Sequence, residues 1–397
     1  MKTSVVGPIR LQVIVSISVF LWQTIASQMV LAAEDKLEEN AAFGIAYDSN
    51  RLLEESPDDR FYGTRQRAGI KYYSDAERYR IDTGLKIVDE YLPESREDEV
   101  DQIKFDLGGV AKTRKSQLEA ALHIQSDSTL AAEVQAAGFV NDNKDRLRAI
   151  GDLSYTYSLS EVDYFTAETS YETVNYEDIL PGQLSEYVYK QLSGGYRRSI
   201  SEWDNVQFSM FASELENDDL RTNSQTKGIS LGWSRALNDV WNFDVSFGRR
   251  KSEYVRDLGW LEIENDNSSR VTDFKLKYKG YRWQYSLLGS YGILPGNAGE
   301  LVNRKTIDMS FWHPLLEVVS LSGQLIYWQQ RSDLTVTPGN DLDALQAYLA
   351  LNWRLDSNLF LVTNLNRIDR RMLYEDDSVY SNGIVFEVVW ASDPLFL

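Results

Sequence analysis

The sequence has no cysteine, two histidines and eight prolines in 397 residues. The missing cysteine removes disulfide staples, thiol nucleophiles and thiolate-held metals together. Two histidines leave little material for imidazole acid–base or metal chemistry. After residue 30 no apolar run approaches the roughly 20 residues a helical membrane span requires, and the mean hydropathy is −0.38. Positive charge is also short. The formal charge is −19, and since Lys2 and Arg10 are the only charged residues before position 33, the remainder carries −21. Such a chain has no basic face for a phosphodiester backbone, which argues against nucleic acid as a partner.

What is present begins with a leader. Lys2 and Arg10 flank the start of an apolar run, "LQVIVSISVFLWQTIASQMV" (Leu11–Val30), followed by "VLA" and then the acidic "AEDKLEEN". A basic start, an apolar middle and small residues at Val30 and Ala32 form a secretory signal with cleavage after Ala32 or one residue later. The run is also long enough to serve as an uncleaved anchor. Residues 1–32 are therefore expected to be a signal peptide, and 33–397 a single exported domain.

Beyond the leader the pattern has a period of two. Val206, Phe208, Met210 and Ala212 alternate with Gln207, Ser209 and Ser213, and Trp241, Phe243, Val245 and Phe247 with Asn242, Asp244, Ser246 and Gly248. Leu345, Ala347, Leu349, Leu351 and Trp353 alternate with polar or small residues in the same way. Alternation of this kind predicts strands with one apolar and one wet face. A β-sandwich and a transmembrane barrel both fit. Expected strands of about 10–13 residues favour the barrel, because globular strands usually hold about 5–6 and a tilted membrane strand needs about 9–11. One helix is expected, over "STLAAEVQAAGFV" (128–140).

The connections alternate in length. Short turns are read at 74–77, 159–162, 201–204, 238–240 and 356–358, and a similar phrase surrounds several of them: "YSLSEVDYFTAETSY", "RSISEWDNVQFSMFAS", "RALNDVWNFDVSFGR" and "WRLDSNLFLVTNLNR". Between them lie long acidic segments, among them "EESPDDR", "LPESREDEVD", "LEIENDNSS" and "YEDDSVYSN". Short turns at one end and long loops at the other are the plan of outer-membrane barrels, one hairpin per period. A solenoid or propeller would show glycine or Trp-Asp punctuation at fixed offsets, which is missing. The expected fold is all-β, a transmembrane antiparallel up-and-down β-barrel. Its strands are 41–48, 64–73, 78–89, 99–111, 116–125, 146–157, 162–175, 186–199, 204–216, 224–236, 240–254, 269–279, 281–292, 303–312, 317–330, 342–354, 358–370 and 380–392. That is about 18, with 16 as the alternative count. The turns at Ser160, Glu202 and Asp239 should face the periplasm and the acidic segments at Asp218, Asn265 and Asp376 the exterior.

Few residues suggest reaction chemistry. His123 falls on the wet register with Glu119 and Gln125, His313 lies near an expected turn, and neither has a G-x-S-x-G or similar nucleophile beside it. "GGVAKT" (108–113) lacks the glycines of a phosphate loop. Asp218 with Asp219 and Asp376 with Asp377 lack the spacing of a dedicated calcium site. No catalytic, cofactor or metal residues are assigned. Tyr72, Tyr157, Trp233, Trp241, Tyr278, Trp283, Trp312, Trp353 and Trp390 are expected to form interfacial girdles. Inward rings such as Phe211 and Tyr348 offer surfaces for a sugar.

Other stretches carry a family likeness. "AYDSNRL" (46–52), "DSTLAAE" (127–133) before "GFV" (138–140), and "SYETVNY" and "LSEYVYKQLSGGYRRSISE" between the turns resemble outer-membrane β-barrel porins encoded near exopolysaccharide and PEP-CTERM-type surface systems. The resemblance implies fold and compartment, a polysaccharide connection and assembly by the barrel-assembly machinery, and it transfers no functional residue. Such barrels commonly end on an aromatic residue. Here Ile384, Phe386, Val388 and Trp390 are followed by "ASDPLFL", so the aromatic is displaced to Phe396 and Pro394 interrupts the strand.

The expected function is a porin-like pore or conduit in the outer membrane, serving polysaccharide or small polar solutes, with membrane lipid and lipopolysaccharide around it. The alternatives are a plugged anchoring barrel and an outer-membrane enzyme. The expected lumen lining, filtering by charge and size, is Arg80, Asp82, Lys86, Lys104, Asp106, Asp244, Arg250, Asp273, Lys275, Lys277, Arg354 and Glu387.

Overall fold

A computed structural model describes residues 34–50, 53, 60–91, 100–128, 144–177, 185–217, 221–257, 262–295, 301–332, 341–372 and 378–396. Among these every regular element is a strand. In chain order they are β1 (Glu34–Asp48), β2 (Phe61–Asp75), β3 (Tyr79–Tyr91), β4 (Val100–Lys112), β5 (Ser116–Ser128) and β6 (Asp145–Ser158). Then come β7 (Asp163–Tyr176), β8 (Tyr187–Ser199), β9 (Asp204–Asn217), β10 (Thr222–Ala236), β11 (Trp241–Asp257) and β12 (Glu262–Lys279). The series ends with β13 (Gln284–Pro295), β14 (Leu301–Pro314), β15 (Val319–Ser332), β16 (Leu342–Arg354), β17 (Leu359–Met372), β18 (Ser378–Ala391) and a two-residue β19 (Leu395–Phe396). Each strand from β1 to β18 pairs antiparallel with the next, and β18 returns to β1 through Asn40↔Ala391 to Asp48↔Gly383. The sheet is a closed 18-stranded barrel, and closure is what removes the unpaired edges that no lipid could satisfy.

Residues directly opposite in a ladder share a face, so the register sorts every strand. The outer face carries Phe43, Ile45, Leu192, Met210, Ile229, Leu231, Phe247, Ile307, Met309, Phe386 and Val388, all exposed. That is the apolar band a hydrocarbon layer requires. Tyr72, Tyr157, Trp233, Trp241, Tyr278, Trp353 and Trp390 stand on this outer face near the short-turn end. A second belt near the other end was not read from the sequence: Tyr47 and Tyr62, with ring centres 4.9 Å apart, and Tyr91, Tyr171, Tyr291 and Tyr380. In β18, ten residues separate Tyr380 from Trp390, about 25 Å of height at the usual tilt. Trp312 departs from the expected girdle. It lies opposite Gln284 and Ser322, on the inward register of β14.

The recurring phrase is a turn with one hydrogen-bond plan. Ser160 Oγ accepts from the N–H groups of Val162 and Asp163 and donates to Asp163 Oδ2 at 2.8 Å. Ser201 repeats this with Trp203, Asp204 and Asp204 Oδ2. Asn238 Oδ1 takes the same two donors from Val240 and Trp241. The preceding aliphatic donates its N–H across the turn each time, Leu159 to Asp163, Ile200 to Asp204, Leu237 to Trp241 and Leu355 to Leu359. A short polar side chain that substitutes for a backbone acceptor is why Ser, Asn or Asp returns there.

Some boundaries differ from the sequence reading. β1 begins at Glu34, seven residues before the expected 41, because its charged start is held between β2 and the β18–β19 end. β12 begins at Glu262 rather than 269, so "LEIENDNSS" is mostly strand, paired with β11 out to Asp257↔Glu262. Pro394 breaks the last strand, yet Leu395 and Phe396 rejoin β1 opposite Leu37 and Lys36. The register shifts by one residue between Asn40↔Ala391 and Leu37↔Leu395, which is a bulge at the residue without an N–H. Of the expected helix, 129–140 lie outside the described residues and Ser128 closes β5. Residues 1–33, Asp218, Asp219, Asp376 and Asp377 lie outside them as well.

Candidate functional site: the barrel lumen

The inner face is polar over most of its area. On β9 and β10 it presents Asn205, Gln207, Ser209, Ser213, Thr226, Ser230, Gly232 and Ser234, neutral groups interrupted by the Phe211 ring over Gly228 and by Leu215. Charge is concentrated elsewhere. The register places Arg80, Asp82 and Lys86 of β3 and Lys104 and Asp106 of β4 inward, as it does Asp244 and Arg250 of β11. Asp273, Lys275 and Lys277 of β12, Arg354 of β16 and Glu387 of β18 have the same orientation. Arg354 is at the short-turn rim, where its Nη2 donates to the Glu317 carbonyl at 3.3 Å.

The structure gathers only some of these residues. Lys86 lies opposite Lys104 and within electrostatic reach of Arg65, Arg67 and Glu387. Glu387 is 1% exposed, 3.3 Å from Arg67 Nη2 and 4.0 Å from Arg65 Nε. Arg65 and Arg67 were not singled out in the sequence, although "YGTRQRAGIKYY" puts both on the face opposite Ile70 and Tyr72. On β11 and β12, Asp244 is opposite Lys275, and Ser246 Oγ donates to Asp273 at 2.9 Å.

His123 Nδ1 lies 2.6 Å from Asp106 Oδ1, across β4 and β5, and the two side chains keep 48% and 54% of their surface exposed. The inward neighbours of His123 are Ala121 and Gln125 on its own strand and Asp106 and Ile150 across it. No hydroxyl stands in those positions, so the His–Asp pair has no nucleophile to activate there. His313 packs its ring on Trp283 with centres 4.8 Å apart, in the arrangement of an ordinary aromatic contact.

The lumen changes character along its length. Midway and toward the short turns, inward groups such as Asp106, His123, Asp273 and Lys277 are reached by solvent. Toward the long-connection end they are buried. Arg146 pairs with Asp127 through Nε at 3.0 Å, Arg250 donates to Ser269 and Asn303, and Arg304 donates to Gln330 at 2.7 Å. Trp328, Leu342 and Ala344 pack together there. β13 stops pairing with β12 at Tyr291, and the outer part of the β13–β14 hairpin folds inward. Leu301 and Ile293 pack on Val174, Tyr176, Tyr187 and Leu215 of β7–β9, on a distant part of the wall. Inward groups are therefore open to solvent at one end of the lumen and packed at the other. Periodicity along one strand carries no signal for this fold-back, because it joins strands far apart in the chain.

Closure, the outward apolar band and the two aromatic belts make this an outer-membrane β-barrel. No protein-family model and no curated protein matches the sequence. Among solved structures the chain is similar to OccK2 (OpdF) of Pseudomonas aeruginosa, at 11% identity and a TM-score of 0.47 over 90% of this chain and 97% of that one. It is also similar to a BenF-like porin of Pseudomonas fluorescens Pf-5, at 8% identity and a TM-score of 0.46 over 92% and 99%. A third likeness is the alcaligin outer-membrane receptor FauA of Bordetella pertussis, at 10% identity and a TM-score of 0.43 over 89% and 76%.

Proposed function

We propose that the chain is a passive outer-membrane pore for small polar solutes, with its narrow section at the long-connection end and that end facing the cell exterior. The observation that carries this is the half-exposed Asp106–His123 pair at mid-lumen: polar side chains there are open to solvent, which a filled barrel interior would exclude. Neutral groups line the β9–β10 side of the passage, and the charged wall on β2–β4 orients solutes. The twelve inward residues, Arg80, Asp82, Lys86, Lys104, Asp106, Asp244, Arg250, Asp273, Lys275, Lys277, Arg354 and Glu387, act as fixed charges rather than as catalysts.

A plugged, anchoring barrel is the second reading, and the β13–β14 hairpin lying against β7–β9 favours it. Conductance of purified protein in planar bilayers separates the two. Steps of uniform size support the pore, and silent insertion supports the plug. A role in surface polysaccharide passage rests on the family resemblance, together with the inward Phe211 ring lying over Gly228 as a stacking surface. Added polysaccharide should then interrupt the current. Assembly by the barrel-assembly machinery is part of the same reading, with β18–β19 as the segment it meets.

A further inference from the structure

The outer tyrosine belt is interrupted. On β10, β11 and β12 no tyrosine stands near its height on the outward register; Phe247 is the ring in register with Tyr291 through Thr272, and Lys227, Arg249, Lys251 and Arg270 surround it. Lys227 is directly opposite Lys251, and Arg249 directly opposite Arg270. Two like-charge pairs on three adjacent strands repel one another and weaken the ladder unless an anion lies between them. Lys251 has its own answer, Glu253 at 2.8 Å and Asp266 at 2.9 Å. Lys227, Arg249 and Arg270 are exposed and make no ion pair among the described residues.

Directly beside the cations the outer wall is grooved. Phe165, Leu192, Met210 and Ile229 line an apolar trough of about 920 Å³ whose lip is formed by Lys227 and Arg249. Leu192, Met210 and Ile229 are each more than half exposed. A molecule that satisfies both parts has an anionic head and aliphatic chains. The place also selects the molecule. The basic level is eight residues above the lower girdle on β11, from Trp241 to Arg249, which is where the head groups of the outer leaflet lie if the long connections face outside. Arginine forks bind phosphate through two parallel N–H···O bonds, and a pair of facing arginines gives such a group four donors.

We propose that the outer wall at β8–β12 holds a phosphorylated glycolipid of the outer leaflet. Its phosphate lies among Lys227, Arg249 and Arg270, and its acyl chains fill the trough over Leu192, Met210 and Ile229. The lipid supplies the counter-charge that the protein does not, and it tethers the barrel to its own leaflet independently of any solute passing through the lumen.

The test uses the full mature chain folded into phosphatidylcholine vesicles containing either diphosphoryl lipid A or the same glycolipid with its phosphates removed. The wild type should bind the phosphorylated lipid about 100-fold more tightly, on the order expected for three surface cations meeting anionic head groups. The triple variant Lys227→Gln/Arg249→Gln/Arg270→Gln should bind the two lipids equally while keeping its heat-modifiable gel migration and its channel conductance. Equal binding of both lipids by the wild type overturns the proposal, and that result needs no variant to fold. A preference retained by the folded triple variant overturns it as well. So does a chemically cross-linked dimer that the variant abolishes, since the patch would then be covered by a second copy. Absence of conductance bears on the pore alone.

Discussion

Glu387 in β18 and Arg67 in β2 form an ion pair of 3.3 Å although β1 lies between their strands. They meet because the intervening residue is Gly44. A Cβ there would stand 2.7 Å from Glu387 Cγ, so the acid lies across the bare backbone and reaches the next strand. The pair therefore bridges the seam at which the first and last strands close the barrel. Removing one partner of a buried pair costs about 3–5 kcal/mol. Arg67 keeps 25% of its side chain exposed, so Glu387→Ala should cost less, about 1–3 kcal/mol, chiefly by leaving Arg65 and Arg67 to repel each other. Gly44→Val should cost at least as much, because a Cβ there meets the Phe386 carbonyl oxygen even more closely than Glu387 Cγ and strains the β1–β18 backbone as well as displacing the acid. Urea unfolding in lipid vesicles measures both, and a wild-type-like midpoint for either variant rejects the account.

The two faces of β11 respond differently. Val245 faces lipid and Asp244 faces the lumen. Val245→Arg near mid-height should cost about 2–4 kcal/mol and impair insertion. Asp244→Asn should fold normally and shift the reversal potential in a salt gradient toward anions, because one fixed negative charge is removed. Unchanged selectivity in the asparagine variant would mean that ions pass elsewhere or not at all.

Sidedness follows from connection length. A cysteine at Glu264, exposed on the extended start of β12, should react with an impermeant maleimide on intact cells. A cysteine at Glu202, in the short turn after β8, should react only after the outer membrane is opened. The opposite pattern inverts the barrel.

The repeated turns are testable one at a time. Ser201 Oγ accepts two backbone N–H groups, from Trp203 at 3.2 Å and Asp204 at 3.0 Å. Ser201→Ala should lower stability by about 0.5–1.5 kcal/mol, and Ser201→Asn should restore most of it, as Asn238 does in its own turn. Equal losses for both substitutions would show that the side-chain acceptor does not matter.

Maturation should end beside the barrel. Cleavage after Ala32 or Ala33 leaves Ala33 or Glu34 first, and Glu34 is the first residue of β1, opposite Asp75. N-terminal sequencing of outer-membrane protein decides this, and recovery of Met1 would refute it.

Strand identity and side-chain face were legible in the sequence because both follow from a period of two along one segment. "WNFDVSFGR" states which of Val245 and Asp244 faces lipid without reference to any other strand. The turns were legible for the same reason, since Ser160, Ser201 and Asn238 act on backbone within three residues of themselves. Strand ends were less so: the charged residues of 262–268 look like loop, and only pairing with β11 beyond the membrane makes them strand. What required the tertiary structure was every relationship between distant strands. Which inward charges meet, such as Glu387 with Arg67, depends on closure between the two ends of the chain. The packing at the mouth depends on Leu301 finding Tyr187 and Leu215 across the lumen. The uncompensated Arg249–Arg270 pair depends on the register of two neighbours. Local alternation fixes orientation through the geometry of a single strand, whereas these contacts are set by stagger and closure, which are properties of the whole sheet.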